Sequence, residues 1–278
     1  PIPESESGRR QLAEWLTHPK HPLTARVLIN RIRHQHFGRG LVITPSNLGT
    51  RSIPPSHPEL LDWLANHFMA NTWSIKEIHR PILSSKTWLM ASTDDSASHL
   101  IDPTNTFLWR HERRRLDAEA IRDALLSVSN QLDLERPGSH PFPPITNWNF
   151  TQHNQFREIY PSKHRTVFLM TPRLHRHPFL AMFDGPDTNT STALRNSSTG
   201  PTQALFFMNS PDIKSHSENL AQRLLTKPTS KRLRYAYSIA FQREPNERET
   251  NHAETMVRII SAESTEKKAH RKTVGGNW

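Results

Sequence analysis

The stretch that decides the fold is residues 56–83, which read SHPELLDWLANHFMANTWSIKEIHRPIL. Two segments in it, 56–59 and 74–77, have the pattern of a capping box, in which a hydroxyl and a carboxylate satisfy free backbone N–H groups at a helix start. Apolar residues then recur three and four positions apart, as they do along one face of an α-helix. The stretch therefore predicts two consecutive amphipathic helices.

The same helical spacing recurs on both sides of this stretch. Towards the N-terminus it predicts a helix from Thr24 that ends at Gly38, because glycine readily adopts the left-handed conformation at a helix end. Further helix starts are marked by Asp117 as a capping residue and by Pro201 in a first turn. Outside 56–83, the predicted helices cover 9–16, 24–37, 118–131, 178–183, 201–208, 211–225, 231–241 and 247–260.

Segments without helical spacing separate these helices. Residues 133–161 are rich in Pro, Asn and aromatic residues, and residues 187–200 are dominated by Thr, Ser and Asn, so both predict surface loops. Residues 165–170 are β-branched and apolar and predict a strand. We therefore expect a mainly α fold: a single helical domain over 1–263 with a few short strands and long surface loops, followed by a disordered basic tail over 264–278.

The composition permits a folded domain but limits its chemistry. Hydrophobic residues make up only 34% of the 278 residues, yet seven Trp and twelve Phe supply apolar area for a core. The chain has no Cys, which excludes disulfides, thiolate metal sites and covalent haem attachment within it. No apolar run approaches the roughly 18 residues that a membrane-spanning helix needs. Residues 1–10 lack the pattern of a signal peptide.

The formal net charge of +10 raises the question of nucleic-acid binding, because Lys and Arg neutralise phosphates. The basic residues are dispersed, however, and form local runs only at 113–115 and 267–272. Such runs are typical of solvated surfaces. We therefore predict that nucleic acid is not a partner, and a nucleic-acid-binding module is kept as the third of three alternatives.

The best candidate site lies around a Gly-Pro turn. Asp184 and Asp187 flank this turn at the end of a predicted helix, close to the loop that holds Arg195. Carboxylates brought together by a turn can act as acid and base or bind a hard cation. The structural alternative is that Asp184 caps the turn while Asp187 pairs with Arg195. Beside them, Arg195, Thr199 and Gln203 are candidates for binding an anion at the next helix start.

Other patterns of reactive residues are missing from the sequence. No two of the 17 His are four positions apart and no H-E-x-x-H motif occurs, so we predict no metal site. The G-x-S-x-G nucleophile motif, the phosphate-binding loop and the dinucleotide fingerprint are also missing. The sequence thus leaves open whether the chain is an enzyme.

Several strings along the chain resemble one family. They include HFGRGLV at 36–42, PPSHPELLDWLA at 54–65, RRLDAE at 114–119, FDGPD at 183–187 and PTQAL at 201–205. Together they are similar to the planctomycete-specific C-terminal domain of unknown function that follows cytochrome c modules in large exported proteins. The likeness runs from about residue 9 to about residue 247. The chain departs from the family pattern at Arg33, where that pattern has Trp.

The resemblance implies an exported protein, periplasmic or at the cell surface, with haem c in an upstream domain and no cofactor in this chain. It also implies two partners, the cytochrome c module and a second planctomycete-specific domain of the same protein. The first functional alternative is a structural or docking module. The second is part of a haem-linked oxidoreductase acting on polysaccharide or small molecules.

Overall fold

The computed structural model describes residue 2 and residues 6–274, with side chains as far as residue 262. Almost all of the regular structure in this part of the chain is helical, and an isolated bridge between Asp133 and His164 is its only β pairing. The predicted mainly α fold is therefore confirmed. The helices are α1 (Arg9–Leu16), α2 (Thr24–Phe37), α3 (Pro58–Ala70), α4 (Ile75–Leu83), α5 (Ser96–Ile101), α6 (Ala118–Val128), α7 (Pro178–Met182), α8 (Pro201–Asn209), α9 (Pro211–Leu225), α10 (Thr229–Phe241) and α11 (Glu247–Val274), with 3-10 turns at Ile145–Asn147 and Thr166–Phe168.

The chain forms two compact units. The first contains Pro1–Arg115 together with Ser191–Asn196, and the second contains Leu116–Thr190 together with Ser197–Trp278. The predicted domain boundary at residue 263 stays a prediction. None of the described helices is long and apolar enough to cross a lipid bilayer.

The core of the first unit is built by α2, α3 and α4. Ile29 of α2, Phe68 of α3 and Ile78 of α4 are almost completely buried against one another's helices. Gly38 ends α2 in the left-handed conformation with φ 74°, as its position in the sequence predicts. The helices at 24–37 and 58–70 thus pack through the apolar faces that define them in the sequence.

One polar side chain, Asn30, is completely buried in this core. Its Nδ2 donates to the carbonyl oxygen of Val42 at 2.9 Å, and its Oδ1 accepts from the Val42 N–H at 2.9 Å. Gly40 passes so close that a Cβ there would lie 2.6 Å from Asn30 Oδ1. The chain after α2 is buried at Val42, whose N–H and carbonyl oxygen have no backbone partner in the described part of the chain. The Asn30 side chain satisfies both groups and so holds this segment in place.

The two predicted capping boxes differ in the structure. Ser74 is the N-cap of α4, as predicted, and its Oγ accepts from the Glu77 N–H at 3.4 Å. The reciprocal half of the second box is replaced, because the Ser74 N–H donates to the carbonyl oxygen of Asn71 at 3.0 Å. The first box is wrong, because α3 begins at Pro58 with His57 at its N-cap. Ser56 lies one residue too early, and its N–H donates to the carbonyl oxygen of Leu41 at 2.9 Å.

The strand predicted over 165–170 is also wrong. Thr166–Phe168 form a 3-10 turn, with Thr166 and Leu169 buried and Val167 73% exposed. Buried positions three apart suit a 3-10 turn, whereas a strand would bury every second residue. The Thr166 N–H donates to the Asp123 carboxylate at 2.8 Å, and this long-range contact fixes the turn.

The chain ends in a longer helix than the spacing predicts. Helix α11 continues to Val274, whereas the sequence predicts a helix that ends near residue 260. The backbone over 264–274 is therefore helical in this structure, and residues 275–278 of the predicted basic tail lie outside the described residues. Disorder of the tail in solution stays a prediction.

Candidate functional site

The predicted Asp184 site forms a tight turn after α7. Asp184 has φ 63°, and its carboxylate accepts from the Ser198 N–H at 2.8 Å and from Ser198 Oγ at 2.9 Å. The Gly185 N–H donates to the carbonyl oxygen of Leu180 at 2.6 Å, and a Cβ at Gly185 would lie 2.7 Å from that oxygen. Asp184 thus ties the following loop to the end of α7, and Gly185 allows the close approach.

Gln203 strengthens the same turn. Its side chain is buried, and its Nε2 donates to the carbonyl oxygen of Met182 at 2.9 Å while its Oε1 accepts from the Gly200 N–H at 3.4 Å. Both ends of this amide therefore have partners within the protein. Thr199 is exposed.

The other members of the predicted cluster are placed differently. Asp187 is exposed, and its carboxylate accepts from the Asn189 N–H at 2.9 Å. Arg195 lies in the segment Ser191–Asn196, which is grouped with the first unit. A pairing of Arg195 with either aspartate, and anion binding by Arg195, Thr199 and Gln203, stay predictions.

This geometry predicts unequal roles for the two aspartates. Asp184→Ala should lower the free energy of unfolding by about 1 to 2 kcal/mol, because it removes the acceptor of the Ser198 hydrogen bonds. The matched variant Asp187→Ala should leave it unchanged, since that side chain is exposed. Urea denaturation followed by circular dichroism measures both, and equal losses would contradict the structural role of Asp184.

A cavity of about 380 Å³ in the second unit is a stronger candidate for ligand binding. Its size falls in the range of small-molecule sites, which combine apolar walls with a few convergent polar groups. Residues from α6, α7, α8, α9 and the chain over 159–169 form the wall. The apolar lining is Leu125, Leu126, Ile159, Pro161, Leu169, Phe179, Phe206 and Ile213, and the polar lining is Arg122, Tyr160, Ser162, His177, Asp212 and His216.

Two histidines give this cavity its chemical character. The Nδ1 atom of His177 is buried and has no hydrogen-bond partner among the described residues. Burial lowers the pKa of His177, and nearby Arg122 lowers it further. Both effects disfavour the charged imidazolium. His177 is therefore a neutral imidazole at pH 7, able to accept a hydrogen bond or a proton from a bound molecule.

His216 stands on α9, four residues after Asp212 and so on the same helix face. Its Nδ1 lies 2.8 Å from Ser129 Oγ. Burial lowers the pKa of His216, although Asp212 opposes this effect. The second imidazole of the cavity is therefore also neutral at pH 7 and is oriented by Ser129.

Arg122 of α6 positions the cavity wall. Its guanidinium donates to the carbonyl oxygen of His164 at 3.1 Å, to Thr166 Oγ1 at 3.0 Å and to the carbonyl oxygen of Ser162. Burial lowers its pKa, and the neighbouring Asp123 opposes this effect. Arg122 thus holds the chain over 162–166 against α6, and both of its terminal nitrogens donate to the protein.

Sequence reasoning missed most of this cavity. No motif in the sequence links Arg122, His177 and His216, which lie far apart in the chain. The four-residue spacing of Asp212 and His216 was the local signal that could have pointed to α9. Among the residues described here, no group of three or more His, Asp or Glu side chains could hold a metal ion.

Three half-buried histidines, His36, His177 and His216, predict a pH-dependent stability. His36, whose Nε2 lies 2.7 Å from His79 Nδ1, also has a pKa lowered by burial, then by His79 and Arg114. Since His36, His177 and His216 have pKa values below 6.5 in the folded chain, the unfolded chain binds protons first as the pH falls. Stability should therefore be complete above pH 6.5 and decrease progressively below it.

Urea denaturation between pH 7.5 and pH 5 checks this expectation. Replacing His36, His177 and His216 together by Gln should reduce the dependence of the free energy of unfolding on pH. His99→Gln, at an exposed position, should leave that dependence unchanged. Equal slopes in the triple variant and the parent would contradict the assignment.

Comparison with known proteins gives one family. Residues 8–257 match the model of a family described as PSD1, a protein of unknown function (DUF1553). The matched range covers well over half of the chain and includes both the Asp184 turn and the cavity of the second unit. No curated protein and no solved structure matches the chain.

Proposed function

We propose, given that this chain belongs to the PSD1 family (DUF1553), that it is a docking module of an exported multidomain protein. The partners that follow from the resemblance are a haem-containing cytochrome c module and a second planctomycete-specific domain of the same protein. In this proposal the chain contributes a surface and no redox chemistry of its own. Its role is to position the electron-transfer module.

The observation that carries this proposal is the apolar surface of the C-terminal helices. Leu205 and Met208 of α8 are 54% and 78% exposed, and Val257 of α11 is 65% exposed. Helices α9 and α10 contain no buried residue, although both are amphipathic. Apolar area left in water costs about 25 cal/mol per Å², so a partner that covers these residues gains stability. Where exposed apolar residues of a folded protein adjoin one another they mark an interaction surface, and the proposal takes these residues as such a surface.

Amide hydrogen exchange of the intact protein tests the docking role. Exchange in α8 and α11 should be slower in the intact protein than in a version from which the cytochrome c module has been deleted. Met208→Glu should remove this protection, and Ser215→Glu, which adds the same charge at an exposed polar position of α9, should keep it. Equal exchange with and without the haem module would overturn the proposal.

The cavity in the second unit favours a second candidate, part of a haem-linked oxidoreductase. Its aromatic and apolar walls, with the neutral imidazoles of His177 and His216, suit a sugar fragment or another small molecule. Reduction of the haem by added oligosaccharides in the intact protein would support this role. His216→Gln should then slow the reduction, and a lack of reduction by every sugar tried would contradict it.

Nucleic-acid binding is the third alternative, and we expect it to be weak. Because the basic residues are dispersed, retention of duplex DNA should be lost as salt is raised towards physiological concentration. A gel-shift titration at two salt concentrations measures this, and nanomolar, sequence-selective binding at physiological salt would overturn the expectation.

A further inference from the structure

The first unit contains a small cavity that is separate from the Asp184 turn and from the cavity that holds His177 and His216. It has a volume of about 40 Å³ and lies between the end of α2, the chain just after it, and residues 104–112. A single water molecule occupies about 10 to 15 Å³ of such space, so the cavity has room for a few waters or one small polar group. Its polar lining includes Arg33, Arg39, His57, Asn105 and Glu112.

Arg33 is the unusual member of this wall. The residue is only 6% exposed, and its guanidinium lies 4.2 Å from the ring centre of Phe37. It forms no hydrogen bond or ion pair with any other described residue. Burial lowers the pKa of Arg33 to about 10, so it remains charged at neutral pH. A buried cation is costly unless an anion accompanies it, and within the described chain none does.

The other polar groups of the cavity already have partners. The Nη1 of Arg39 donates to the carbonyl oxygen of Thr104 at 2.9 Å, and its Nη2 donates to Thr106 Oγ1 at 3.3 Å. Glu112 accepts from Asn105 Nδ2 at 3.2 Å and lies 3.7 Å from Arg110 Nη2. The carboxylate of Glu112 is thus occupied by Asn105 and Arg110, and it leaves Arg33 without a counter-ion.

We propose that this cavity binds a small carboxylate, whose two oxygens accept hydrogen bonds from the guanidinium of Arg33. The planar fork of arginine matches the two oxygens of a carboxylate. The stacked ring of Phe37 restricts the guanidinium, so less conformational freedom is lost on binding. The limited volume admits the carboxylate group alone, and the remainder of a larger ligand extends past exposed Ser56 towards solvent.

Acetate is the probe that tests this site. Sodium chloride is replaced mole for mole by sodium acetate at pH 7, while the melting temperature and the Nε–Hε NMR signal of Arg33 are recorded. Both should change saturably in the parent protein and in Arg31→Met, which alters an exposed arginine of the same helix. In Arg33→Met the acetate response should be lost. The melting temperature of this variant in chloride should not fall, because the variant removes an unpaired buried cation.

A further variant separates binding from folding. Arg33→Lys keeps the charge but loses the bidentate fork, so acetate affinity should fall by about tenfold or more, the loss of one charge-assisted hydrogen bond. An equal acetate response in Arg33→Met and the parent would overturn the proposal. A saturable response to inorganic phosphate without one to acetate would overturn it as well.

Discussion

Asn30→Ala is expected to lower the free energy of unfolding of the first unit by about 3 kcal/mol or more, the larger of two effects that this structure predicts. The substitution leaves the N–H and the carbonyl oxygen of Val42 buried without partners, and each such group costs about 1 to 3 kcal/mol. It also leaves a cavity in the core, because Asn30 and the neighbouring Ile29 are both completely buried. Urea denaturation followed by tryptophan fluorescence measures the loss, since Trp73 and Trp88 pack against the same core.

The matched control is Asn47→Ala. Asn47 is exposed, and its side chain accepts one long hydrogen bond, from the Gly49 N–H at 3.4 Å, so truncating this side chain should have little effect. Gly40→Ala should destabilise the unit too, because its Cβ would press on Asn30. Because Gly40 and Asn30 contact each other, their effects should not add. The double variant Asn30→Ala/Gly40→Ala should lose less free energy of unfolding than the sum of the losses in the two single variants. Additive losses, or a neutral Asn30→Ala, would contradict this account.

The helices could be predicted because their signals are local. Helices α1 and α9 have the predicted limits, since Pro211 opens the second and apolar spacing sets the extent of both. The first capping box failed by one residue because Ser56 is held by Leu41, a partner far away in sequence. The short helix α5 was not predicted, because only the last two of its residues, Leu100 and Ile101, are large and apolar, so no apolar spacing marks it. Helix α7 is just as short, but Pro178 marks its first turn.

The Asp184 turn is likewise marked by local sequence, whereas the two cavities depend on residues that are distant in the chain. The FDGPD string marks a turn from sequence alone, and the structure adds the partner, Ser198. The cavity of the second unit brings together Arg122, His177 and His216, which lie far apart in the chain. No local spacing relates them, so only packing of α6, α7 and α9 brings them together. The unpaired state of Arg33 is equally a property of packing, because its sequence neighbours give no sign of it.

The second large effect is expected from Arg122→Met. This variant keeps the aliphatic stem but removes the donors that hold the chain over 162–166, two of them bonded to buried or half-buried groups. Hydrogen bonds from a charged donor contribute about 1.5 to 3 kcal/mol each. The free energy of unfolding of the second unit should fall by about 2 to 4 kcal/mol, and the wall of the large cavity should loosen. Urea denaturation gives the first quantity, and amide exchange over 162–169 gives the second.

Arg165→Met is the matched control for this variant, because Arg165 is an exposed arginine in the segment that Arg122 holds. It should change neither the free energy of unfolding nor the exchange rates. In Arg122→Met the amide of Thr166 should exchange faster even though its acceptor, Asp123, remains, since the neighbouring carbonyl contacts are gone. If the Thr166 amide stays as protected as in the parent, Asp123 alone fixes the turn. Arg122 would then have no part in shaping the cavity that holds His177 and His216.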